Sequence, residues 1–412
     1  MRRRVVITGI GVVAPNGIGK DDFWEALVSG KSAITKITRF DVSSYPYQIA
    51  GEVKRFDPAD FMTRKIAKRT ALFAQFALAA ARLAVWDCGL TPEMFCNLNA
   101  GVFLGDSIGG LDLLEEQVGI FHEKGIRRLS PFASVMFFSH AAASHVGIEF
   151  NIRGPAVTVS TGCPAGANAI RLAAEEIRRG NIDIAVVGGT DAPISPVMVA
   201  ALSASGSLAS NNGDPEKASR PFDRNRSGWV LSEGAGILVL EEFRHADSRS
   251  ANLYGEVLGC SLTNDACGVY EIDRSGDGLY RSMKNALSEA HLIPEEIEYI
   301  SAHAPSMVLT DQVEVLAIKR LFKEYAYRVP VSSIKSMIGQ PLAATGIFQL
   351  IACLLGMRDR TLPPTINYEQ PDPDCDLDCV PNKARGKTIR TALVNTHGYG
   401  GINCSVVVGK IA

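Results

Sequence analysis

Short runs of apolar residues alternate with longer, helix-like segments along the whole of this 412-residue chain. Most of the runs are continuously apolar, which is typical of strands covered by helices on both faces. These runs predict strands at Val5–Thr8, Ala100–Leu104, Val157–Ser160, Ile184–Val187, Ala235–Leu240, Tyr299–Ala302, Val329–Ser332, Thr391–Asn395 and Ser405–Val408. Helical spacing predicts helices at Lys20–Ser29, Thr70–Trp86, Asn168–Arg179, Gly278–Ala290, Thr310–Phe322 and Phe348–Gly356. The alternation indicates a layered α/β fold.

The same order of elements occurs twice. Residues 1–250 and residues 251–412 each carry alternating strands and helices, and each ends in a glycine-rich strand pair. Glu233–Gly236 precedes a strand in the first part, and Gly398–Gly401 precedes one in the second. We therefore predict two related halves, residues 1–250 and 251–412, with an active site where strand ends from both halves meet.

Composition narrows the classes of partner. Hydrophobic residues make up 46% of the chain, charged residues 21%, and the formal net charge is −2. No polybasic stripe is present, which argues against nucleic acid and anionic membranes as partners. The N-terminal apolar stretch is too short for a signal peptide, and the best candidate for a membrane span, Thr70–Val85, contains Gln75 and Arg82. We expect a cytoplasmic protein.

The nine cysteines have no regular spacing, and disulfides are not expected in a reducing cytosol. Cys375 and Cys379 form the only close pair and lie among aspartates. No second Cys or His pair follows at zinc spacing, so a solvated loop is the preferred interpretation and no metal site is predicted.

Cys163 lies between the predicted strand Val157–Ser160 and a helical pattern that starts near Ala165, with Gly162 and Pro164 in the turn. A thiol at this junction meets the unpaired N–H groups and positive end of a helix, which lower a cysteine pKa from ~8.5 toward ~7. The placement fits an acyl-accepting nucleophile. It also fits a small core cysteine, because free cysteine is among the most buried residue types.

His303 and Lys335 each follow a predicted strand, where α/β folds place their chemistry. Taken singly, they also fit an ordinary loop histidine and a surface lysine. Asp311 and Glu314 start the next helix with the sign expected near its N-terminus, and we assign them mostly to capping and scaffold.

The segment Gly398–Gly401 has glycine on both sides of a single aromatic residue, Tyr399. Such a segment fits a hinged gate, and it fits a tight turn between strands.

Together these segments resemble the β-ketoacyl-acyl carrier protein synthases of thiolase fold, nearest to synthase II, over nearly the whole chain. The resemblance rests on Val5–Gly11, Arg220–Asp223, Gly228–Val230, Glu233–Gly236, Lys335–Met337, Pro363–Asn367 and Gly398–Gly401. It implies a five-layered αβαβα fold and a homodimer or heterodimer with a second ketosynthase-like subunit. It also raises the nucleophile interpretation of Cys163 above the core-cysteine one.

The resemblance further implies a decarboxylative Claisen condensation. An acyl chain passes from acyl carrier protein to Cys163, and a malonyl-carrier protein then loses carbon dioxide and attacks the thioester. His303 matches the first histidine of the family and Lys335 its lysine. The oxyanion hole would be the backbone N–H groups of Cys163 and Tyr399, with Gly400 in the gate. The resemblance implies that the substrates are carried on the phosphopantetheine of the carrier protein, and it implies no other cofactor.

Two further sets of residues follow from the resemblance. The acyl pocket would be lined by Ile108, Phe132, Phe137, Phe138 and Leu202. The acidic carrier protein would dock on basic residues, for which the candidates are Arg64, Lys65, Lys68, Arg69, Arg127 and Arg128.

The chain departs from the family pattern around the site. The second histidine is replaced by Gln340, which keeps an N–H donor but does not exchange protons near pH 7. Pro305 and Met307 stand where two threonines would bind the phosphopantetheine arm. The glutamate that completes the lysine network is Gln349, so we expect burial to lower the pKa of Lys335. The first aromatic of the gate is His397, which we consider as a source of the missing imidazole.

Three functions remain open. The chain is a condensing enzyme of fatty-acid-like or polyketide biosynthesis, or a non-decarboxylating acyltransferase that uses the Cys163 acyl-enzyme. In the third, the chain resembles a chain-length factor and acts as the partner of another ketosynthase. The presence of Cys163 and His303 argues against this third function. Acyl chain length, the pathway and the identity of the second subunit are not readable from the residues.

Overall fold

A computed structural model describes residues 3–95 and 97–411. Its strands are β1 Val5–Ala14, β2 Gly17–Ile18, β3 Thr35–Lys36, β4 Ile49–Ala50, β5 Ala100–Gly105, β6 Ala156–Val159, β7 Ile184–Asp191, β8 Gly234–Glu242, β9 Gly255–Asn264, β10 Ile300–Ser301, β11 Val331–Ser332, β12 Thr361–Leu362, β13 Arg385–Gly386, β14 Thr391–Gly398 and β15 Ile402–Gly409. Its α-helices are α1 Lys20–Val28, α2 Arg64–Ala67, α3 Leu72–Asp87, α4 Pro92–Phe95, α5 Leu111–Lys124, α6 Ala133–Met136, α7 Ala141–Glu149, α8 Ala165–Arg179, α9 Pro196–Ala204, α10 Phe243–Ser248, α11 Asp277–Ala290, α12 Val308–Phe322, α13 Lys335–Ile338 and α14 Thr345–Asp359.

The sheet repeats one strand order twice. In the first half β1 pairs antiparallel with β8 and β8 with β7, and β5 and β6 then follow in parallel. In the second half β9, β15, β14, β10 and β11 follow one another with the same sequence of directions. A short antiparallel contact between β1 and β9 joins the two sets. This repeat agrees with two related halves, whereas the division at residue 250 remains a prediction.

Helices cover both sets of strands and lie between them. Helices α3 and α7 form one outer layer, and α11 and α12 form the other. Helices α8 and α14 lie in the centre, where α8 contacts strands of both halves and packs on α14. Three apolar cores fill the spaces: one under α3, one around α8 and α14, and one under α11 and α12. The order is αβαβα, as expected.

Strand β1 is longer than predicted because glycine does not end it. A Cβ atom on Gly9 would lie 2.2 Å from the carbonyl oxygen of Ala84, and one on Gly11 would lie 1.9 Å from that of Ala80. Both glycines therefore allow α3 to pack closely on β1 while the strand continues. Strand β9 and helices α5 and α9 are absent from the predicted elements.

Two sequence-based interpretations are wrong. Cys375 and Cys379 are buried in the core under α12 rather than solvated, because the loop that carries them folds back on that helix. Among the described residues, the one helical stretch apolar and long enough to span a membrane is Leu342–Asp359, not Thr70–Val85. It contains α14, which is buried between the two halves.

Candidate active site

Cys163 lies in the turn between β6 and α8, as predicted. Gly162 has φ of 65°, which turns the chain, and the amide of Ala165 donates to the carbonyl of Gly162 at 2.9 Å to start the helix. The half-buried Cys163 lines a cavity of about 370 Å³. A Cβ atom on Gly398 would lie 3.4 Å from the sulfur, so the loop after β14 closes over the thiol. The cavity gives a substrate access to this sulfur.

The free thiol is protonated at neutral pH. Burial raises the pKa of Cys163 to about 11, although a hydrogen bond with the Gln340 side chain and the charge of Lys335 oppose the shift. The expected depression of this pKa by the helix N-terminus is therefore wrong. Desolvation of a charged sulfur outweighs the favourable helix end.

Two imidazoles lie together in the same cavity. The rings of His303 and His397 have centroids 4.3 Å apart and planes tilted by 49°. Both line the cavity, with exposed fractions of 3% and 5%. His303 follows β10, and His397 lies in the neighbouring strand β14. Burial and the positive charges near His303 hold its pKa well below the ordinary value, so its ring is neutral.

Glu314, on α12, connects these two histidines. Its carboxylate accepts hydrogen bonds from the backbone amides of His303 at 2.9 Å and Ala304 at 2.7 Å. It also accepts one from the Asn395 side chain at 3.2 Å, and it lies 3.8 Å from Nε2 of His397. Burial favours the neutral acid, but the hydrogen bonds and His397 outweigh it and lower the pKa of Glu314. It is thus a buried anion in the site rather than only a helix cap.

Lys335, at the start of α13, has a neutral partner. Its ammonium donates to the amide oxygen of Gln349 at 3.1 Å, and the side chain is 1% exposed. Burial lowers the pKa of Lys335 to about 7, although Glu314, Cys163 and Asp311 act in the opposite direction. The expected fall in the proton affinity of this lysine is confirmed.

A loop with a hydroxyl at its tip covers the cavity. Tyr399 donates to the hydroxyl of Ser207 at 2.7 Å, and its ring lies 5.6 Å from that of Tyr270. The amide of Gly400 donates to the carbonyl of Val269 at 2.8 Å. Gly400 adopts φ of 82°, a region that glycine enters without strain. These contacts hold the loop closed, and the oxyanion role of the Tyr399 amide remains a prediction.

The proposed pocket residues divide into two groups. Ile108 and Leu202 pack with Cys163 in one apolar cluster. None of the five lines the cavity itself, whose apolar lining instead includes Ile272, Pro305, Met307 and Leu309. Phe137 lines a separate surface groove, and Phe132 and Phe138 are exposed. Within one chain, these three aromatics therefore do not reach the thiol.

The role of Glu314 is the main feature that the sequence did not reveal. A signal was available: Asp311 and Glu314 lie three residues apart on one face of α12, directly after His303. Helix capping explained both residues equally well. Only the burial of Glu314 between two strand ends shows that it belongs to the site rather than to a helix cap.

Family models match most of the chain. The model described as Beta-ketoacyl synthase, N-terminal domain, matches residues 2–246, and the one described as Beta-ketoacyl synthase, C-terminal domain, matches residues 254–369. A 3-oxoacyl-[acyl-carrier-protein] synthase 2 of Coxiella burnetii is 41% identical over 410 residues, covering 100% of this chain and 99% of the relative.

Solved structures agree with this match. The ishigamide ketosynthase/chain length factor has a TM-score of 0.94 at 32% identity, with both chains fully covered. The AntDE:AntF complex, a type II polyketide synthase acyl-carrier protein with its ketosynthase bound to the hexaketide, gives 0.92 at 33% identity, again with full coverage. Two family models, a full-length relative and the shared fold lead to one conclusion: this chain belongs to the β-ketoacyl synthase family.

Proposed function

We propose that the protein is a β-ketoacyl synthase that loads an acyl chain on Cys163 and extends it by condensation with a malonyl thioester. The observation that carries the proposal is the cavity of about 370 Å³ on which the thiol of Cys163 and the rings of His303 and His397 all open. A nucleophile and preorganised N–H donors in one water-poor cavity are what acyl transfer and enolate formation require.

The first half-reaction transfers the acyl group. The Cys163 sulfur attacks the carrier-bound thioester, a new C–S bond forms, and the phosphopantetheine thiol leaves with the proton that Cys163 gives up. Because the pKa of the free Cys163 thiol is about 11, proton removal accompanies the attack rather than preceding it. The neutral ring of His303 is a candidate acceptor for this proton.

The second half-reaction forms the carbon–carbon bond. The bond between the malonyl α-carbon and its carboxylate breaks, carbon dioxide leaves, and the electron pair forms an enolate. The enolate carbon attacks the acyl carbon, and the C–S bond to Cys163 breaks. The thiolate takes up one proton from solvent, and the β-ketoacyl product stays on its carrier. Negative charge on the enolate oxygen needs N–H donors beside it, and the cavity offers histidine rings there.

The carrier protein provides the substrate for both steps. The basic candidates Arg127 and Arg128 are exposed and complement an acidic carrier. The apolar lining of the cavity, which contains Met307 and Leu309, suits the alkyl portions of a phosphopantetheine arm. We propose acyl carrier protein as the donor and acceptor, with no further cofactor.

A second subunit covers an exposed apolar surface. Val118, Phe121, Ile126, Val135 and Phe138 are between 44% and 73% exposed, more than expected for scattered surface residues. Strand β6, which is the edge of its half of the sheet, is also only partly buried. We propose a ketosynthase-like partner here, identical or different, and a cytoplasmic dimer whose cysteines stay reduced.

Two measurements in one experiment separate this function from its alternatives. The protein is incubated with acyl-carrier protein and then with [1,3-¹⁴C]malonyl-carrier protein, and the acyl adduct on Cys163 and the released carbon dioxide are both measured. We expect an adduct, carbon dioxide release and a chain extended by two carbons, and we expect Cys163→Ala to lack the adduct and the extended chain. An adduct without carbon dioxide release indicates the non-decarboxylating acyltransferase. No adduct, with activity only beside a second synthase, indicates a chain-length-factor-like partner.

A further inference from the structure

We propose that His397 is a catalytic residue that donates, together with His303, to the enolate oxygen formed during decarboxylation. This inference rests on the proposed condensation. It extends that proposal by assigning the second donor to the strand β14 rather than to the Gln340 position.

Two nearby polar side chains have other partners. Gln340 lines the cavity, but its side chain hydrogen-bonds to the sulfur of Cys163. Lys335 donates to Gln349 and does not line the cavity. Lys335 is therefore not placed to meet a negative charge that develops on the substrate, and Gln340 already interacts with the nucleophile.

The remaining basic groups on the cavity wall are few. Arg274 lines it but is exposed at the mouth. His303 and His397 lie deep beside Cys163 and are almost fully buried. Among the described residues that line this cavity, these two rings are therefore the buried basic groups.

The backbone fixes His397 next to the thiol. His397 pairs with Asn403 in the β14–β15 hairpin, which restricts its position. The next residue, Gly398, lies so close to Cys163 that a Cβ atom on it would be 3.4 Å from the sulfur, so the imidazole is one residue from this close approach. A ring held by a strand is better positioned for catalysis than one on a free loop, because less ordering is needed in the transition state.

Glu314 complements the positive charge that such a donor develops. Its carboxylate lies 3.8 Å from Nε2 of His397. This orients the ring, so that Nδ1 is the nitrogen that can donate to a substrate. Nε2 of His397 and Nδ1 of His303 are shielded from the cavity, so the nitrogens left to meet a substrate are Nδ1 of His397 and Nε2 of His303. The ring centroids are 4.3 Å apart, so one enolate oxygen at the edges of both rings would provide an acceptor for both residues.

The test separates acyl loading from decarboxylation. His397→Phe keeps a ring of similar size and removes both nitrogens, whereas His397→Asn keeps an N–H donor. We expect His397→Phe to acylate Cys163 within about 2-fold of wild type and to release carbon dioxide about 10²–10³-fold more slowly. His397→Asn should recover part of that loss. His291→Asn, the same replacement at an exposed helix end, should match wild type.

The outcomes remain distinct from those that test the function itself. Wild-type release of carbon dioxide with unchanged release by folded His397→Phe would overturn the role of His397 and leave the condensation intact. Absence of release from wild type would overturn the condensation first. If His397→Phe does not fold, a structure of acylated wild type with the amide analogue of malonyl-phosphopantetheine decides. A carbonyl oxygen within hydrogen-bond distance of the His397 ring supports the role, and one outside that distance rejects it.

Discussion

The ammonium nitrogen of Lys335 lies 3.1 Å from the amide oxygen of Gln349, and the two side chains are 1% and 0% exposed. A charge on this lysine therefore meets a dipole rather than a carboxylate at hydrogen-bond distance. Burial lowers the pKa of Lys335 to about 7, so the lysine changes charge near neutral pH. Because the charge of Lys335 also favours the thiolate of Cys163, the two groups are linked.

The first prediction concerns stability against pH. An unfolded lysine has a pKa near ~10.4, whereas folded Lys335 titrates at about 7. Between these values the unfolded chain binds one more proton, so this lysine makes the free energy of unfolding increase with pH, by at most about 1.4 kcal/mol per pH unit. Below pH 7 its destabilising effect is fully present. Urea unfolding between pH 6.5 and 9 should show a steeper increase for wild type than for Lys335→Met, and equal slopes would contradict the assignment.

The second prediction concerns Gln349→Glu. The Gln349 amide nitrogen donates to the carbonyl oxygens of Ser301 at 2.9 Å, Ala302 at 2.8 Å and Asn395 at 3.1 Å. A carboxylate has no N–H group, so these buried acceptors lose their shared donor even though an ion pair with Lys335 is gained. We expect a net loss of about 1–3 kcal/mol in the free energy of unfolding at pH 7, measured in urea. Gln370→Glu, at an exposed position, should change it by less than about 0.5 kcal/mol.

Local features of the sequence predicted the elbow at Cys163 because a strand, a glycine turn and a helix follow one another within about twenty residues. The repeat of the two halves was visible for the same reason. The link between Glu314 and His397 was not, because it depends on α12 packing against the end of β14, about 80 residues away in the chain. Strand β9 escaped prediction because it carries polar and glycine residues within its span, and its pairing with β15 overrides their weak preference.

The direction of the Cys163 pKa shift could not be predicted from the residues either. Sequence indicates a helix N-terminus, which favours the thiolate, but it does not indicate how much water the folded loop Gly398–Gly401 excludes. In the structure that loop contacts the thiol, and desolvation decides the sign. The same limit applies to Phe132, Phe137 and Phe138, whose distance from the thiol depends on the position of a surface segment.

The third prediction follows from that shift and concerns alkylation. With a Cys163 pKa of about 11, the rate of reaction with iodoacetamide should keep rising almost tenfold per pH unit from pH 7 to 10. Cys267, which is exposed, provides an internal comparison in the same digest, followed by mass spectrometry. A plateau for Cys163 below pH 9 would show that the free enzyme already holds a thiolate.

The fourth prediction concerns carrier-protein docking. Arg127 and Arg128 are exposed on the turn after α5. Replacing both with glutamate should weaken the long-range attraction of the acidic carrier protein without changing the cavity. We expect the KM for acyl-carrier protein to rise about 10-fold, which corresponds to ~1.4 kcal/mol, with kcat nearly unchanged. The effect should shrink as salt is added. Arg328→Glu is the matched control at another exposed arginine, and an equal KM increase there would indicate a general charge effect.

The last prediction concerns the gate. The hydroxyl of Tyr399 donates to Ser207 at 2.7 Å, and a hydrogen bond of this kind contributes about 0.5–1.5 kcal/mol. Tyr399→Phe should therefore shift the loop toward its open state by about 2- to 13-fold, and hydrolysis of the acyl group on Cys163 should accelerate by a similar factor. Ser207→Ala removes the acceptor and should have the same effect. Because both changes remove one bond, the double variant should hydrolyse no faster than either single one. Rates that multiply in the double variant would show that the two side chains act independently and that their hydrogen bond does not hold the loop closed.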